Sequence, residues 1–417
     1  MKTESMKFPS YPGFAGYPDY PRHLGFSKVV VFLATILVPS ISMAQAGLFL
    51  SDHEILVAQY WNSTSQKVST LVGKTRISLT PKWDLGIKGL GEWIRIESMQ
   101  QAASAHVSHE NMDHGDHDPG GASMDVDAVS GASIVGHGHH GSGEGRGEAT
   151  VSLSRDLSQN NPAGCTASLR YSGESDYHSS MATLGGNLEL FQRNTALSGY
   201  LGTGLDFSDP SEPPPGSQDT WPATSTRVAA GLQVGQILSS RLQGGISYAL
   251  SVLSGALENP YRRARILTTL FPEQLPDQRI RHVGGIDVAY YLGLGIAAFH
   301  REGMYIDSWG VQAWIPESAV QIELGKKWLL RSRYKYYYQL PADFYHTSYA
   351  NLNGWYSGDV RLGHLESDEF SIGAEYSLGN GPNASTLTLS GLHSSQTYLA
   401  DGNKIKSYII SLGWKSQ

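Results

Sequence analysis

From Glu54 onward, apolar and polar residues alternate along the chain with a period of two rather than 3.6. Between Arg241 and Leu250, Leu242, Ile246, Tyr248 and Leu250 share one face, and Gln243, Ser247 and the following Ser251 share the other. Between Trp328 and Gln339, Leu330, Tyr334, Tyr336 and Tyr338 stand opposite Arg331, Arg333, Lys335 and Gln339. From Lys404 to Trp414, Ile405, Tyr408, Ile410, Leu412 and Trp414 fall near one face if the pattern slips once around Ser407. Such alternation over about ten residues predicts a strand with one face against an apolar medium. The runs are 53–60, 75–81, 84–96, 148–156, 165–174, 182–192, 195–207, 224–236, 241–254, 281–292, 295–306, 310–324, 328–340, 368–378, 385–396 and 403–414. That makes about 16 strands, with 14 to 18 the range left by the weak runs 53–60 and 310–324.

The connections take turns. Pro81-Lys82-Trp83, Gln192-Arg193-Asn194, Leu238-Ser239-Ser240, Leu292-Gly293-Leu294-Gly295 and Gly325-Lys326-Lys327 are short, whereas 97–147, 207–222, 255–280 and 341–367 are long. Strict short/long alternation predicts an all-β fold, a transmembrane antiparallel up-and-down β-barrel with short periplasmic turns and long extracellular loops. Closure of the sheet satisfies every backbone group in lipid without a helix. Both termini fall on the periplasmic side. Tyr334, Tyr336, Tyr338, Tyr356 and Trp414 suit the aromatic girdles at the membrane interfaces. A secreted sandwich or propeller needs polar outer faces, and no blade-length repeat is visible.

Composition fits this picture once the barrel is in view. A mean hydropathy of −0.26 is what half-polar strands and polar loops give. The formal charge of −7 argues against a nucleic-acid partner, and a single cysteine, Cys165, excludes an intrachain disulfide framework. Lys28, the apolar run Val29 to Leu37, Pro39, Ser42 and Ala44-Gln45-Ala46 read as a secretory signal peptide over 1–46 with a long n-region. The run is too short for a transmembrane helix, which takes ~20 residues. The expected course is Sec-type export, leaving a barrel domain at 47–417. Its expected partners are the barrel-assembly machinery, outer-membrane lipid and lipopolysaccharide, and a small solute or metal ion.

Several stretches taken together carry a family resemblance. They are Asp127-Ala128-Val129-Ser130-Gly131-Ala132-Ser133-Ile134, Asn259-Pro260-Tyr261-Arg262-Arg263-Ala264-Arg265, Pro276-Asp277-Gln278-Arg279-Ile280-Arg281-His282, Asp307-Ser308-Trp309-Gly310, Trp328-Leu329-Leu330-Arg331-Ser332-Arg333-Tyr334 and Ala342-Asp343-Phe344-Tyr345. From about residue 127 to the C-terminus the chain resembles the domain-of-unknown-function family 3570. The resemblance implies a bacterial outer-membrane β-barrel and supplies no catalytic mechanism.

Three constellations are candidates for chemistry. The loop 97–147 holds His106, His109, His114, His117, His137, His139 and His140, with Asp113, Asp116, Asp118, Met112 and Met124 among them. Imidazole and carboxylate suit Zn, Cu(II) or Ni, thioether suits Cu(I), and the His-x-x-His pairs 106/109 and 114/117 can share one ion. Such a loop would lose metal as its histidines protonate near pH 6. The bland alternative is a compositionally biased loop with only adventitious affinity. Second, Asp127-Ala128-Val129-Ser130-Gly131-Ala132-Ser133 resembles the acceptor motif of periplasmic FMN transferases, with Ser133 the acceptor; otherwise it is a Gly-containing turn. Third, Arg331, Arg333 and Lys335 form a ladder on the lumen face, with Asp287, Glu323, Glu369 and Glu375 expected to face inward from neighbouring strands. Opposed rows of charge either filter solutes or cross-brace the lumen. Arg262, Arg263 and Arg265 in loop 255–280 are placed to fold inward and narrow the mouth.

No enzyme signature stands out: there is no Gly-x-Ser-x-Gly, His-Glu-x-x-His or P-loop, and Ser179 or Ser180 beside His178 is only a nominal pair. The barrel needs no cofactor. The leading expectation is a porin-like channel with a metal-capturing external loop. The rival is a non-conducting barrel that partners an exported redox or metal system.

Overall fold

The computed structural model describes residues 49–64, 66–96, 124–126, 133–135, 145–158, 162–210, 221–379, 384–400 and 402–416. In chain order the strands are β1 (Phe49–Asn62), β2 (Gln66–Thr80), β3 (Trp83–Ile96), β4 (Met124–Val126), β5 (Ser133–Val135), β6 (Gly145–Ser158), β7 (Ala163–Gly173), β8 (Tyr177–Leu190), β9 (Thr195–Ser208) and β10 (Ala223–Ile237). They continue with β11 (Leu242–Gly255), β12 (Arg263–Ile266), β13 (Thr269–Pro272), β14 (Gln278–Gly293), β15 (Ile296–Asp307), β16 (Gln312–Leu324), β17 (Trp328–Leu340), β18 (Leu365–Ser377), β19 (Thr386–Tyr398) and β20 (Asn403–Ser416). Sixteen of these form one closed antiparallel barrel; β4–β5 and β12–β13 are separate two-stranded hairpins within connections. The barrel closes where β1 pairs with β20, from His53 opposite Ser416 to Asn62 opposite Ser407. Tyr408 lies at that seam, stacked on Trp61 and His393 with ring centroids 5.7 and 4.7 Å apart.

The period-two pattern resolves into two unlike faces. Leu169, Leu184, Ile246 and Ile372 stand 60–68% exposed on one row. The alternate row carries Arg146, at 9% side-chain exposure, and Glu369, at 15%. A cylinder turns its shielded row inward, so the exposed apolar row is the outer wall and the charged row lines the lumen.

Seven connections on one rim span only two to eight residues, and both barrel ends of the chain lie on that rim. Leu294 (φ 54°), between Gly293 (φ 99°) and Gly295 (φ 76°), reverses the chain from β14 to β15 in two residues. The other rim departs from strict alternation: beside its long connections it has tight ones at 63–65, 174–176, 308–311 and 399–402. β2 starts nine residues earlier than the run 75–81. Leu71-Val72-Gly73 breaks the visible alternation, but the backbone pairs through it without a bulge, Val57 to Leu71 and Ile55 to Gly73. β20 needs no slip at Ser407, because its register with β19 is continuous, and Ile405 therefore faces away from Tyr408, Ile410 and Leu412. Tyr356 is no girdle residue. It lies buried with Ala264 and Ile266 in a loop core.

Candidate lumen and mouth

Two long connections, 256–277 and 341–364, are folded structures that pack on each other. β12 and β13 make a hairpin in the first, and backbone bridges tie it to the second at Ile266–Tyr349 and Gln274–Tyr356. Ala264, Ile266 and Tyr356 are buried together, flanked by Phe271 and Tyr349. A second apolar cluster unites Leu275, Trp309, Val311, Ala342 and Leu362. The crossing is close: a Cβ on Gly358 would sit 1.8 Å from the carbonyl oxygen of Arg263, so only glycine fits.

Polar latches reinforce the apolar contacts. Arg262 reaches Asp359 at 2.7 Å, and Arg361 also binds Asp359, Nε to Oδ1 at 2.9 Å. Burial works against a charge on Asp359, but Arg361 and Arg262 prevail and hold its carboxyl below the usual range. Glu273 accepts from the Asn259 backbone N–H at 2.6 Å and from Ser357 Oγ at 2.5 Å. Burial pushes its carboxyl up to about 7, against the opposing pull of Arg262 and these two donors. Of the three arginines expected to fold inward and narrow the mouth, Arg262 latches the two loops together. Arg263 donates instead to the carbonyl oxygen of Pro260 at 3.1 Å, and Arg265 is exposed.

The tight turn 308–311 is organised by Asp307. Its Oδ2 accepts from Arg279 Nε at 2.8 Å and Nη2 at 2.5 Å and from the Tyr305 hydroxyl at 2.6 Å. Its Oδ1 accepts from the backbone N–H groups of Trp309 and Val311 at 2.9 and 3.1 Å. Arg279 also lies over the Trp309 ring, 4.2 Å from its centroid.

On the lumen wall, Arg331 meets Glu375 at 2.6 Å, and Arg333 bridges Glu369 of β18 and Glu317 of β16. Lys335 stands in register between Glu317 and Glu369. Asp287 pairs with Arg301 at 3.1 Å. Glu323 forms no ion pair among the described residues and is exposed near the turn rim. Arg146 is shared by Glu92, Glu148 and Glu174 at 3.5–3.8 Å, and Arg170 adds a 2.8 Å contact to Glu148. The wall therefore carries charges of both signs, cross-linked between neighbouring strands.

The predicted metal ligands His106, His109, His114, His117, His137, His139 and His140 lie outside the described residues, as does the 1–46 segment. Ser133 opens β5, opposite Val126 of β4. Of the nominal Ser/His pair, His178 Nδ1 is engaged by the Tyr171 hydroxyl at 2.9 Å, and Ser180 Oγ donates to the carbonyl oxygen of Leu205.

Loops 256–277 and 341–364, with neighbouring strand ends, line an open-sided cavity of about 280 Å³. Arg227, Arg279 and Arg281 enter it from the barrel wall, and Trp221, Leu253 and Trp309 give it apolar surface. Sequence reasoning passed over Arg227 and took Arg279 and Arg281 only as part of a family motif. Yet Arg279-Ile280-Arg281-His282 carries the same alternating signal as Arg331-Ser332-Arg333-Tyr334.

A closed sixteen-stranded cylinder, apolar outside and charged within, is a β-barrel of the outer-membrane type. The chain belongs to the family described as protein of unknown function (DUF3570), whose model matches residues 138–390. The match begins somewhat after the first of the resembling stretches. No curated protein matches the chain. Among solved structures it is similar to a bacterial polysaccharide outer membrane secretin (10% identity, 88% of this chain and 98% of that one, TM-score 0.45). It is also similar to OpdK of Pseudomonas aeruginosa, solved with vanillate (9% identity, 87% and 98%, TM-score 0.37). The ferric enterobactin receptor PfeA of the same organism matches at 11% identity and TM-score 0.42, over 84% of this chain. This chain spans about half of that receptor's length, 54%.

Proposed function

We propose that the protein is an outer-membrane channel for small solutes, reached by Sec-type export and inserted by the barrel-assembly machinery. The observation that carries the reading is the combination of a closed barrel, a lumen wall bearing charges of both signs, and long connections that fold and pack on each other at one rim. Ion pairs such as Arg333 with Glu317 and Glu369 brace neighbouring strands and line the wall with charged groups that screen solutes by size and charge. Arg331, Arg333, Lys335, Asp287, Glu375 and, nearer the turn rim, Glu323 are the residues assigned to that wall. Planar-bilayer recording on purified folded protein tests it, with discrete single-channel steps expected. A folded preparation that gives no steps overturns the channel and favours the non-conducting partner barrel.

The His-rich segment 97–147 extends the proposal to metal capture at the mouth, because seven imidazoles there can chelate Cu(II), Zn(II) or Ni(II). Calorimetric titration of wild type against a 104–142 deletion tests this. Equal weak heats from the two proteins would remove the metal role.

A further inference from the structure

The strand register assembles a second site that the lumen ladder does not include. Arg227 of β10 stands opposite Leu253 of β11, and Leu253 stands opposite Arg279 of β14. These three positions therefore form one row across adjacent strands. Arg281 follows two residues further along β14, on the same inward face, and opposite Asp307 of β15. The three guanidiniums line the cavity beneath the folded loops.

Their partners are unequally distributed. Arg227 has Asp206 at 3.4 Å. Arg279 has Asp307, whose two oxygens are already taken by five donors. Arg281 is left over: its Nε is buried without an acceptor, and it forms no ion pair among the described residues. Its charged neighbours include Arg279 and Arg227, of its own sign, and Asp307, already saturated. A shielded guanidinium beside two others calls for a counter-charge, since an uncompensated cation in such a place is costly. The cavity supplies the room, and Trp221, Leu253 and Trp309 supply apolar walls for the rest of a ligand. The same lining carries Asp176, Asp206, Glu258, Glu273 and Asp359, which disfavour a second negative group.

We propose that this cavity binds a small organic monocarboxylate, its carboxylate on Arg281 and its apolar body between the tryptophans. The planar fork of Arg281 suits a carboxylate bidentately. A site under the loops places this ligand on the entry route, so the proposal deepens the channel reading and rests on it for its physiological sense. Binding itself is measurable without conductance.

The test is calorimetry on the full folded chain in detergent, with sodium benzoate, its neutral isostere benzamide, and inorganic phosphate as probes. Benzoate is expected to bind saturably at one site, with benzamide at least about ten-fold weaker, as loss of a charge-assisted bond requires. Arg281→Gln should weaken benzoate by a similar factor, and Arg281→Lys, which keeps the charge and loses the fork, by less. Benzamide binding as tightly as benzoate overturns the proposal, as does an unchanged affinity in Arg281→Gln, or silence from benzoate in wild type. Saturable phosphate binding with no benzoate response overturns the monocarboxylate assignment. The wild-type probe comparison decides the matter even if the Arg281 variants fail to fold. Benzoate binding without single-channel steps would keep the site and remove the channel.

Discussion

Glu273 makes the latch between the two mouth loops sensitive to pH. It is a buried carboxyl, 6% exposed, held between the Asn259 N–H and Ser357 Oγ. Burial raises it from 4.5 to about 7. The raised value means that the folded loop binds the extra proton between pH 4.5 and about 7, whereas the opened loop has already released it. Below 4.5 both forms are protonated and there is no penalty. As pH rises through the window the penalty accumulates, and above about 7 it is complete. At about 1.4 kcal/mol per pH unit, the gap corresponds to roughly 3 kcal/mol of lost latch stability. Arg262, Arg361 and Asp359 are the charged groups around it, and their mutual pairing stays intact across this range. Glu273→Gln keeps an oxygen for Asn259 and an amide N–H for Ser357, and removes the titration. Hydrogen exchange at the Gln274 and Tyr356 amides, which bond to each other's carbonyl oxygens at 2.9 Å, reports the latch directly. Wild-type protection factors should fall between pH 5 and pH 8, and Glu273→Gln should hold its pH 5 protection at pH 8. Equal wild-type protection at both pH values, or the same decline in Glu273→Gln, refutes the reasoning.

Other substitutions probe the barrel. Arg333→Ala removes one counter-charge of Glu317 and Glu369; reversal potentials in a salt gradient should shift toward cations, with only about 1 kcal/mol lost in urea unfolding because the pair is partly solvated. Asp307→Ala leaves Arg279, the Tyr305 hydroxyl and two turn N–H groups without their acceptor, and should cost about 3 kcal/mol in the same assay. A side chain on Gly231 would meet Tyr200 Cε1 at 2.2 Å, so Gly231→Val should destabilise by about 1–3 kcal/mol, and adding Tyr200→Ala should recover part of it.

Strand count and face were legible because each crossing needs an apolar row against lipid and leaves the alternate row free to be polar. Trp328 to Leu340 carries that code plainly. The start of β2 does not, since Leu71 and Val72 are adjacent apolar residues and the turn residues Ser63 and Thr64 include neither the glycine nor the proline that marks reversals. The mouth was harder to read. Tyr356 looks like a girdle residue by type, and only the tertiary packing of Ala264 and Ile266 against it shows a loop core. Arg281 is a similar case: a ladder can be read along one strand, but a guanidinium left over after Asp206 and Asp307 are assigned emerges only when β10, β14 and β15 are brought into register.

The seam between β1 and β20 carries a consequence for biogenesis. Tyr60 and Ser407, hydrogen-bonded at 3.0 Å, are 347 positions apart. Until β20 emerges and docks, the sheet presents two open edges, on β1 and β19, each a template for pairing with another chain. Loop-closure entropy for so distant a contact is recovered only at the last step. A chain stopped short of Asn403 is therefore an edge-exposed, aggregation-prone species, and holding β1 for its final partner is a task for whatever escorts the chain into the membrane.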